Sequence, residues 1–331
     1  MSMTKRENCI AILNGKQPDY YGDMMDAVEF VPDPIFLKDI IPQDGERHLD
    51  SWGTTYVFKP DSPGAHPVAA PDTLVIKNIE DWETSVTPPC LDDFDWTEAE
   101  RLAAEVDRSE KFVGFFCASG LFERSHHLMG FENALVEYML NEDKVAGLLR
   151  VIADFKIEHI KKAVKHMKPD VIFFHDDWGS KTNVFLPPDL WRRLIKPLHK
   201  EIVDAAHDCG MIFLHHADCY CEPLVCDMVE MGIDVWEGAI PQNDICEVQR
   251  VTKGQLPMIG GIDGPKIDSA NITEEEIRAE VRRVIDTYCP GGKFFPGIPG
   301  GKCFTEFNEK IRKDELEKYG RKWAEEHPVA E

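Results

Sequence analysis

The sequence predicts an α/β protein that folds as a single (β/α)8 TIM barrel with an N-terminal excursion of loops and hairpins. Two observations lead to this fold. From residue 111 onward, short apolar segments alternate with helical segments, which is typical of parallel βαβ units. At least six such units follow one another, and this number favours a closed barrel over an open sheet. We therefore expect one domain over residues 1–331.

The chain begins with an amphipathic segment at residues 4–14, which predicts a helix with Thr4 as its cap and Gly15 as its stop. Residues 34–100 are rich in proline, glycine and aspartate, and contain short strand-like pieces such as TTYVF at 54–58. This composition predicts an irregular excursion of loops and hairpins, not a domain of its own.

The regular part of the chain predicts six strands: 112–118, 171–175, 211–215, 233–237, 257–261 and 293–295. Helices are predicted after the first of these strands, up to about residue 167, and again after the PPD sequence at 187–189. Further helices are predicted at about 222–230, 244–253, 273–287 and 305–326. In barrels of this kind, the active site lies at the carboxyl ends of the strands. The glycine-rich motifs of Rossmann and P-loop nucleotide sites are absent.

Composition limits the classes of partner. The formal net charge of -23 argues against nucleic acid and against an anionic membrane surface. No apolar run approaches the roughly 20 residues that span a bilayer, and the N-terminus does not resemble a signal peptide. The ten cysteines are then expected to be reduced thiols in a cytoplasmic protein, most of them small buried side chains.

Polar and acidic side chains follow five of the predicted strands, which predicts a reactive pocket where the strand ends meet. These residues are Cys117 and Ser119, His175 to Trp178, His215 to Cys219, Trp236 and Glu237, and Asp263. Several have a structural alternative. A strand-end aspartate is often a helix cap, Asp263 opens an Asp-Gly-Pro turn, and Trp178 and Trp236 are as well suited to the wall or core.

Residues 215–221 contain two histidines, one aspartate and two cysteines, which packing alone explains poorly. In an extended segment His216 and Asp218 lie on the same face, and imidazole with carboxylate or thiolate is a zinc-type ligand set. Glu237 and Cys303 are candidates for a further ligand. Another two histidines, His126 and His127, are adjacent in a segment with a helical pattern, and we interpret them as surface or packing residues.

Several segments together resemble the uroporphyrinogen decarboxylase superfamily, and specifically its corrinoid-dependent methyltransferase branch. The strongest similarity is in HDDWGSKTNVFLPPDLWRRLIKPLHKEIVDAAHDCGMIFLHHADC. KRENCIAILNGKQPD, DSWGTTY, GLFERSHHLMGFENAL, GIDVWEG and GGIDGPKI occur around it in the expected order. The opening segment lacks the basic, arginine-bearing signature of the true porphyrinogen decarboxylases.

The resemblance implies a (β/α)8 barrel with zinc held by a His-x-Cys pair and a late cysteine. His216 falls on the histidine of that pattern. Asp218 falls on the second ligand with Cys219 beside it, and Cys303 lies a few residues after the late position. These four residues are the predicted zinc ligands, in a site that differs from the pattern of the branch, and a barrel without a metal is the alternative.

The resemblance further implies methyl transfer from a small methylated donor, preferably a methyl aryl ether in an O-demethylase system, to a separate corrinoid-binding protein that carries the cobalamin. We predict Asp177, His175 and Asp176 as catalytic residues for proton delivery, Asp177 before Asp176. The predicted substrate-binding residues are Trp178, Phe185, Cys117, Glu237 and Asp263. A small-molecule decarboxylase and a non-catalytic corrinoid- or metal-binding accessory protein are the alternatives, and a homodimer is left open.

Overall fold

The computed structural model describes residues 2–62, 64–301, 303 and 305–329. The strands in chain order are β1 (Val28–Phe30), β2 (Arg47–Leu49), β3 (Thr55–Val57), β4 (His66–Pro67), β5 (Phe112–Cys117), β6 (Val171–His175), β7 (Ile212–His216), β8 (Val235–Ala239), β9 (Met258–Gly261) and β10 (Phe294–Gly297). The main sheet has seven parallel strands in the order β1-β5-β6-β7-β8-β9-β10. This curled sheet is an α/β half-barrel of the TIM-barrel type.

Fourteen α-helices occur in the described residues: α1 (Lys5–Leu13), α2 (Pro34–Lys38), α3 (Trp82–Ser85), α4 (Thr97–Glu105), α5 (Leu121–Met129), α6 (Phe131–Leu140), α7 (Glu142–Met167), α8 (Pro188–Leu194), α9 (Lys196–Asp208), α10 (Val225–Met231), α11 (Ile245–Val251), α12 (Gly264–Ile267), α13 (Glu274–Tyr288) and α14 (Glu306–Glu326). Thr4 caps α1 with its side chain and completes a capping box with Glu7, as the sequence predicted.

The six predicted strands all occur in the main sheet, as β5 to β10, with shifts of one or two residues at some ends. The strand at Val28–Phe30 was not predicted, because it has three residues and two of them are exposed. A closed barrel of eight strands was predicted as the fold class, whereas the described residues place seven strands in the sheet and leave β1 and β10 at its two edges. The core fills the space between this sheet and the helices.

Residues 34–105 contain short elements. Strands β2, β3 and β4 form a three-stranded antiparallel sheet, which we call the small sheet, and α2, α3 and α4 lie before and after it. The 26-residue helix α7 contacts α3, α4, α5, α6, α8 and α9, and so joins this part of the chain to the helices of the main sheet. In the described residues, every helix is too short or too polar to cross a membrane.

A buried ion pair joins α7 to the start of α2. His159 Nε2 lies 3.1 Å from Asp33 Oδ2, and Asp33 Oδ1 caps α2 by accepting hydrogen bonds from the amides of Ile35 and Phe36. Burial disfavours the charged imidazole, but the Asp33 carboxylate outweighs it and raises the pKa of His159 to about 9.

This ion pair predicts a pH-dependent stability. The pKa of His159 is higher in the folded chain than the ordinary value of 6.5, so its stabilising contribution is complete below about pH 6.5 and is lost as the pH rises through about 9. We expect the free energy of unfolding to fall across this window by up to about 3 kcal/mol. In His159→Asn the fall should be smaller by the contribution of His159, and the other histidines with raised pKa values should account for the rest.

Urea unfolding at pH 6 and pH 9 measures the effect. His207→Asn is the control, because His207 forms its ion pair with Asp234 at the protein surface. An identical pH profile in the wild type and His159→Asn would assign the pH dependence to other groups.

Candidate functional site

The register of the main sheet places three titratable side chains in one row at its carboxyl edge. His175, the last residue of β6, pairs with His216, the last residue of β7, and His216 pairs with Glu237 in β8. The two imidazole rings stack, with centroids 4.3 Å apart and planes 25° apart. Parallel pairing of strand ends therefore brings together residues that lie 41 positions apart in the chain.

His175, Asp177 and His216 form a compact group, which we call the His–Asp cluster. One ligand atom from each residue lies within 4.8 Å of the other two. His175 Nδ1 lies 2.8 Å from Glu123 Oε2, and His216 Nδ1 is hydrogen-bonded to Glu237 Oε2. The Nε2 atom of each ring is therefore the nitrogen that remains available to a ligand or a proton acceptor.

The carboxylates beside the two histidines favour their charged forms. Burial lowers the pKa of His175, but the Glu123 carboxylate outweighs burial and raises this pKa to about 10. In the same pair, burial raises the pKa of Glu123, while His175 outweighs it and lowers the pKa to about 2. The pKa of His216 is also raised, because the Glu237 carboxylate outweighs burial.

The surroundings favour the uncharged form of the Asp177 carboxyl group, in contrast to the two histidines. Burial, followed by the Glu123 carboxylate, raises the pKa of Asp177 to about 6. Its Oδ1 atom accepts a hydrogen bond of 3.0 Å from the amide of Asp218, which fixes the carboxyl beside the strand end. The His–Asp cluster thus combines an acid whose pKa lies near neutrality with two imidazoles that favour their protonated form.

A cavity of about 960 Å³ opens beside the His–Asp cluster, and His175 and Asp177 both line it. Its other walls come from α2 and the loop after it, β5, α5, α7 and the small sheet. The apolar lining residues include Ile35, Phe36, Ile40, Ile41, Phe58 and Phe116, and the polar ones include Tyr56, Ser119, Glu123, Arg124, His126 and His127. This volume accommodates a small organic molecule with an aromatic ring.

Asp176 points away from the cavity, as alternation along the strand predicts for a neighbour of Asp177. It is fully buried and accepts hydrogen bonds from the amides of Phe122 and Glu123, at 3.3 and 2.9 Å, and from Trp178 Nε1 at 3.0 Å. The first two bonds satisfy the N-terminus of α5. Asp176 therefore has a capping position, and its predicted catalytic role stays a prediction.

The predicted zinc ligands do not all meet in one place. Within the described residues, the cluster contains His216 but not Asp218, Cys219 or Cys303. Cys219 Sγ lies 3.4 Å from Cys221 Sγ in a buried pair, and the amide of Cys303 donates to Glu309 Oε2. The structure instead brings His175 and Asp177 beside His216, because neighbouring strand ends meet across the sheet.

The predicted substrate-binding residues also lie in varied environments. Trp178 stacks on His215 in the core at a centroid distance of 4.1 Å, and Phe185 stacks on Phe122. Cys117 is buried with its sulfur 3.8 Å from His159 Nδ1. None of these side chains is among the described residues that line the cavity.

Two predicted substrate-binding carboxylates have structural partners. Asp263 caps the short helix α12 through the amide of Lys266, which agrees with the turn interpretation. Glu237 holds His216 with one oxygen and accepts a 3.1 Å hydrogen bond from the amide of Gly300 with the other. Gly300 has a φ of +81°, which favours glycine at this close approach to the site.

Several residues of the site were not predicted. Glu123, His126 and His127 come from α5, and Tyr56 comes from β3. The interpretation of His126 and His127 as surface or packing residues needs correction, because both line the cavity. One signal was present in the sequence: Glu123 and His127 are four residues apart in a helical segment and so share one face.

Comparison with known proteins identifies the same architecture. Residues 54–296 match the profile of the uroporphyrinogen decarboxylase (URO-D) family. A methyltransferase from Methanosarcina mazei is similar in structure, with a TM-score of 0.66 and 15% sequence identity over 96% of this chain and 99% of that chain.

At lower similarity, a D-psicose 3-epimerase from Clostridium cellulolyticum H10, solved with D-tagatose, covers 71% of this chain and 84% of that chain. Its TM-score is 0.35 and its sequence identity is 11%, too low to support an argument about fold or function. No curated protein sequence matched the chain significantly.

Proposed function

The chain belongs to the uroporphyrinogen decarboxylase family, and from this premise we propose that it is a corrinoid-dependent methyltransferase. In this proposal residues 1–331 form one (β/α)8 domain, which moves a methyl group from a small donor to the cobalt of a separate corrinoid protein. The observation that carries the proposal is the His–Asp cluster, whose His175 and Asp177 line a cavity large enough for a small aromatic molecule. The fold similarity to a methyltransferase supports it.

The charge of the cavity argues against a porphyrinogen as substrate. A porphyrinogen carries many carboxylates, which need cationic partners. Among the described residues that line the cavity, Arg124 is the one arginine or lysine, and its guanidinium forms a buried ion pair with Asp50. The aliphatic and aromatic lining suits an uncharged ring, and we therefore prefer a methyl aryl ether as the donor.

The His–Asp cluster fits a divalent metal ion. Two imidazoles and one carboxylate are a donor set that zinc accepts, and each imidazole has its Nδ1 held by a carboxylate, as is usual for metal-ligating histidines. His175, Asp177 and His216 would hold the ion, and Glu123 and Glu237 would orient the two rings. When bound, such an ion supplies Lewis acidity that favours departure of the aryl oxygen.

The same residues support proton transfer when no metal is bound. Methyl transfer breaks the bond between the methyl carbon and the ether oxygen and forms a carbon–cobalt bond, with cobalt(I) supplying the electron pair. The phenolate that leaves needs a proton, and its pKa of about 10 is close to that of His175. With Nδ1 directed at Glu123, His175 would deliver this proton from Nε2, and Asp177 is the second acid.

The reaction itself is the first test. The chain, a cobalt(I) corrinoid protein and a methoxyphenol are expected to yield methylcobalt(III) and the dihydroxybenzene, because the cobalt is a far stronger methyl acceptor than the side chains of the cavity. The absorption spectrum of the corrinoid and chromatography of the phenol report the two products. Omission of the corrinoid protein is the control and should stop product formation.

Assays with other methyl donors distinguish the methyltransferase from the decarboxylase and the accessory protein. Methanol, methylamines and methyl thioethers are offered in parallel with several corrinoid proteins. Transfer from one of these compounds but not from aryl ethers would retain the methyltransferase and change its donor. Loss of carbon dioxide from a carboxylated compound, with no methyl transfer from any donor, would assign the chain as a decarboxylase. Corrinoid binding without turnover would assign the accessory role.

A further inference from the structure

One wall of the cavity carries a hydrogen-bonded group that lies outside the His–Asp cluster. The Tyr56 hydroxyl, from the small sheet, lies 2.9 Å from His127 Nδ1. The Ser119 hydroxyl, which follows β5, lies 3.2 Å from the same nitrogen. All three side chains line the cavity. The small sheet, β5 and α5 therefore converge on one polar position in a wall that also has apolar stretches.

This position has a fixed relation to the cluster. His127 follows Glu123 by four residues in α5, so the two side chains lie on one face of the helix, one turn apart. Glu123 in turn holds His175 at 2.8 Å. Glu123, which holds the cluster, and His127 are thus one helical turn apart along one wall of the cavity.

The pair formed by Tyr56 and His127 is uncharged near neutral pH. Burial, followed by the charge of His126, lowers the pKa of His127 well below its usual range. Burial also raises the pKa of the Tyr56 hydroxyl. A neutral imidazole offers one donor and one acceptor. When Nδ1 accepts the proton of the Tyr56 hydroxyl, Nε2 carries a hydrogen and the tyrosine oxygen keeps a free lone pair.

The lone pair of the Tyr56 oxygen can accept a hydrogen bond from a hydroxyl group. It offers nothing to a carboxylate, because a carboxylate only accepts hydrogen bonds. The charges of the surrounding residues also favour a hydroxyl group over a carboxylate. Asp39 and Glu123 also line the cavity, and the guanidinium of Arg124 is engaged by Asp50. An anionic substituent would meet these carboxylates, and the cationic side chains that line the cavity, Arg124, His159 and His175, are each paired with a carboxylate already.

We propose that Tyr56 and His127 determine the choice of methyl donor by binding an uncharged hydroxyl group on its aromatic ring. This inference rests on the proposed methyl transfer. It narrows the donor class to methyl aryl ethers that carry a free phenolic hydroxyl, and it disfavours methoxybenzoates that lack one. The hydroxyl is bound at the wall formed by α5 and the small sheet, while the ether oxygen faces the His–Asp cluster.

The Tyr56→Phe variant removes the hydroxyl and keeps the ring. For methoxyphenols its kcat/KM is expected to fall about 10-fold, the effect of one lost hydrogen bond in a buried site. For methoxybenzene, which lacks the hydroxyl, kcat/KM should change less than about 2-fold, within the scatter expected when no hydrogen bond is lost. Tyr319→Phe is the matched control, because the Tyr319 hydroxyl donates to Asp286 at the surface. His127→Phe should reproduce the loss for methoxyphenols.

Equilibrium binding separates this inference from the proposed function. Calorimetry with the chain alone compares phenol with benzoate, and we expect phenol to bind more tightly and to lose about 10-fold in affinity in Tyr56→Phe. Equal phenol affinity in the wild type and the variant, or tighter binding of benzoate, would overturn the inference. Failure of every donor to methylate a corrinoid protein, with the phenol result as expected, would instead overturn the proposed function and leave the hydroxyl site in place.

Discussion

His216→Ala is expected to abolish metal binding at the proposed site and to lower methyl transfer by at least about 100-fold, since Lewis-acid assistance is worth several kcal/mol of transition-state stabilisation. His216 stacks on His175, is held by Glu237 and supplies one of the three donor groups of the His–Asp cluster. Wild-type protein purified without added metal should contain about one zinc per chain, as a mononuclear site requires.

Elemental analysis and a methyl-transfer assay measure the two effects on the same samples. His207→Ala serves as the control, because this histidine forms its ion pair with Asp234 at the surface, away from the cluster. A wild-type protein that transfers methyl groups at full rate without metal would exclude zinc from the reaction. Proton delivery by His175 and Asp177 would then be the remaining explanation of the cluster.

Asp177→Asn and Asp176→Asn are expected to affect different properties of the protein. Asp177 lines the cavity with a pKa raised to about 6, so its loss should lower turnover by at least about 100-fold, the contribution of a general acid or a metal ligand. Asp176 caps α5 from a buried position. Its replacement should lower the free energy of unfolding by about 1–3 kcal/mol and affect turnover less.

Urea unfolding and steady-state kinetics on both variants test this division. Asparagine preserves the size of each side chain and its capacity to accept a hydrogen bond, so each variant is a control for the other. Small and equal losses of turnover would make both aspartates structural. A larger loss of turnover in Asp176→Asn would reverse the two assignments.

Local sequence patterns were sufficient for much of the fold. Apolar runs predicted β5 to β10 because each of these strands is buried along most of its length. The segment Val28–Phe30 has no such run, and its place in the sheet depends on pairing with β5, more than 80 residues later. The sequence therefore predicted the repeating part of the sheet and missed its edge.

Local sequence patterns also predicted one part of the site and missed the part that depends on contacts between distant segments. His175, Asp177 and His216 follow apolar strands, so their position at the carboxyl edge could be predicted. Spacing along one segment also suggested Asp218 and Cys219 as partners of His216, but partners across the sheet come from other strands. Tyr56 reaches the cavity because the small sheet lies over it, and no local pattern encodes that contact.

Helix α5 contacts the end of β6 twice: its N-terminal amides bind Asp176, and its Glu123 side chain binds His175. His127, which lines the cavity, lies one turn further along the same helix. Any substitution that shifts α5 to admit a different donor also shifts the carboxylate that sets the proton affinity of His175. Mutations in α5 should therefore be non-additive with mutations at His175. In the proposed methyl transfer, the range of donors and the reaction rate are therefore coupled through α5, and a change of donor would require compensating changes in β6.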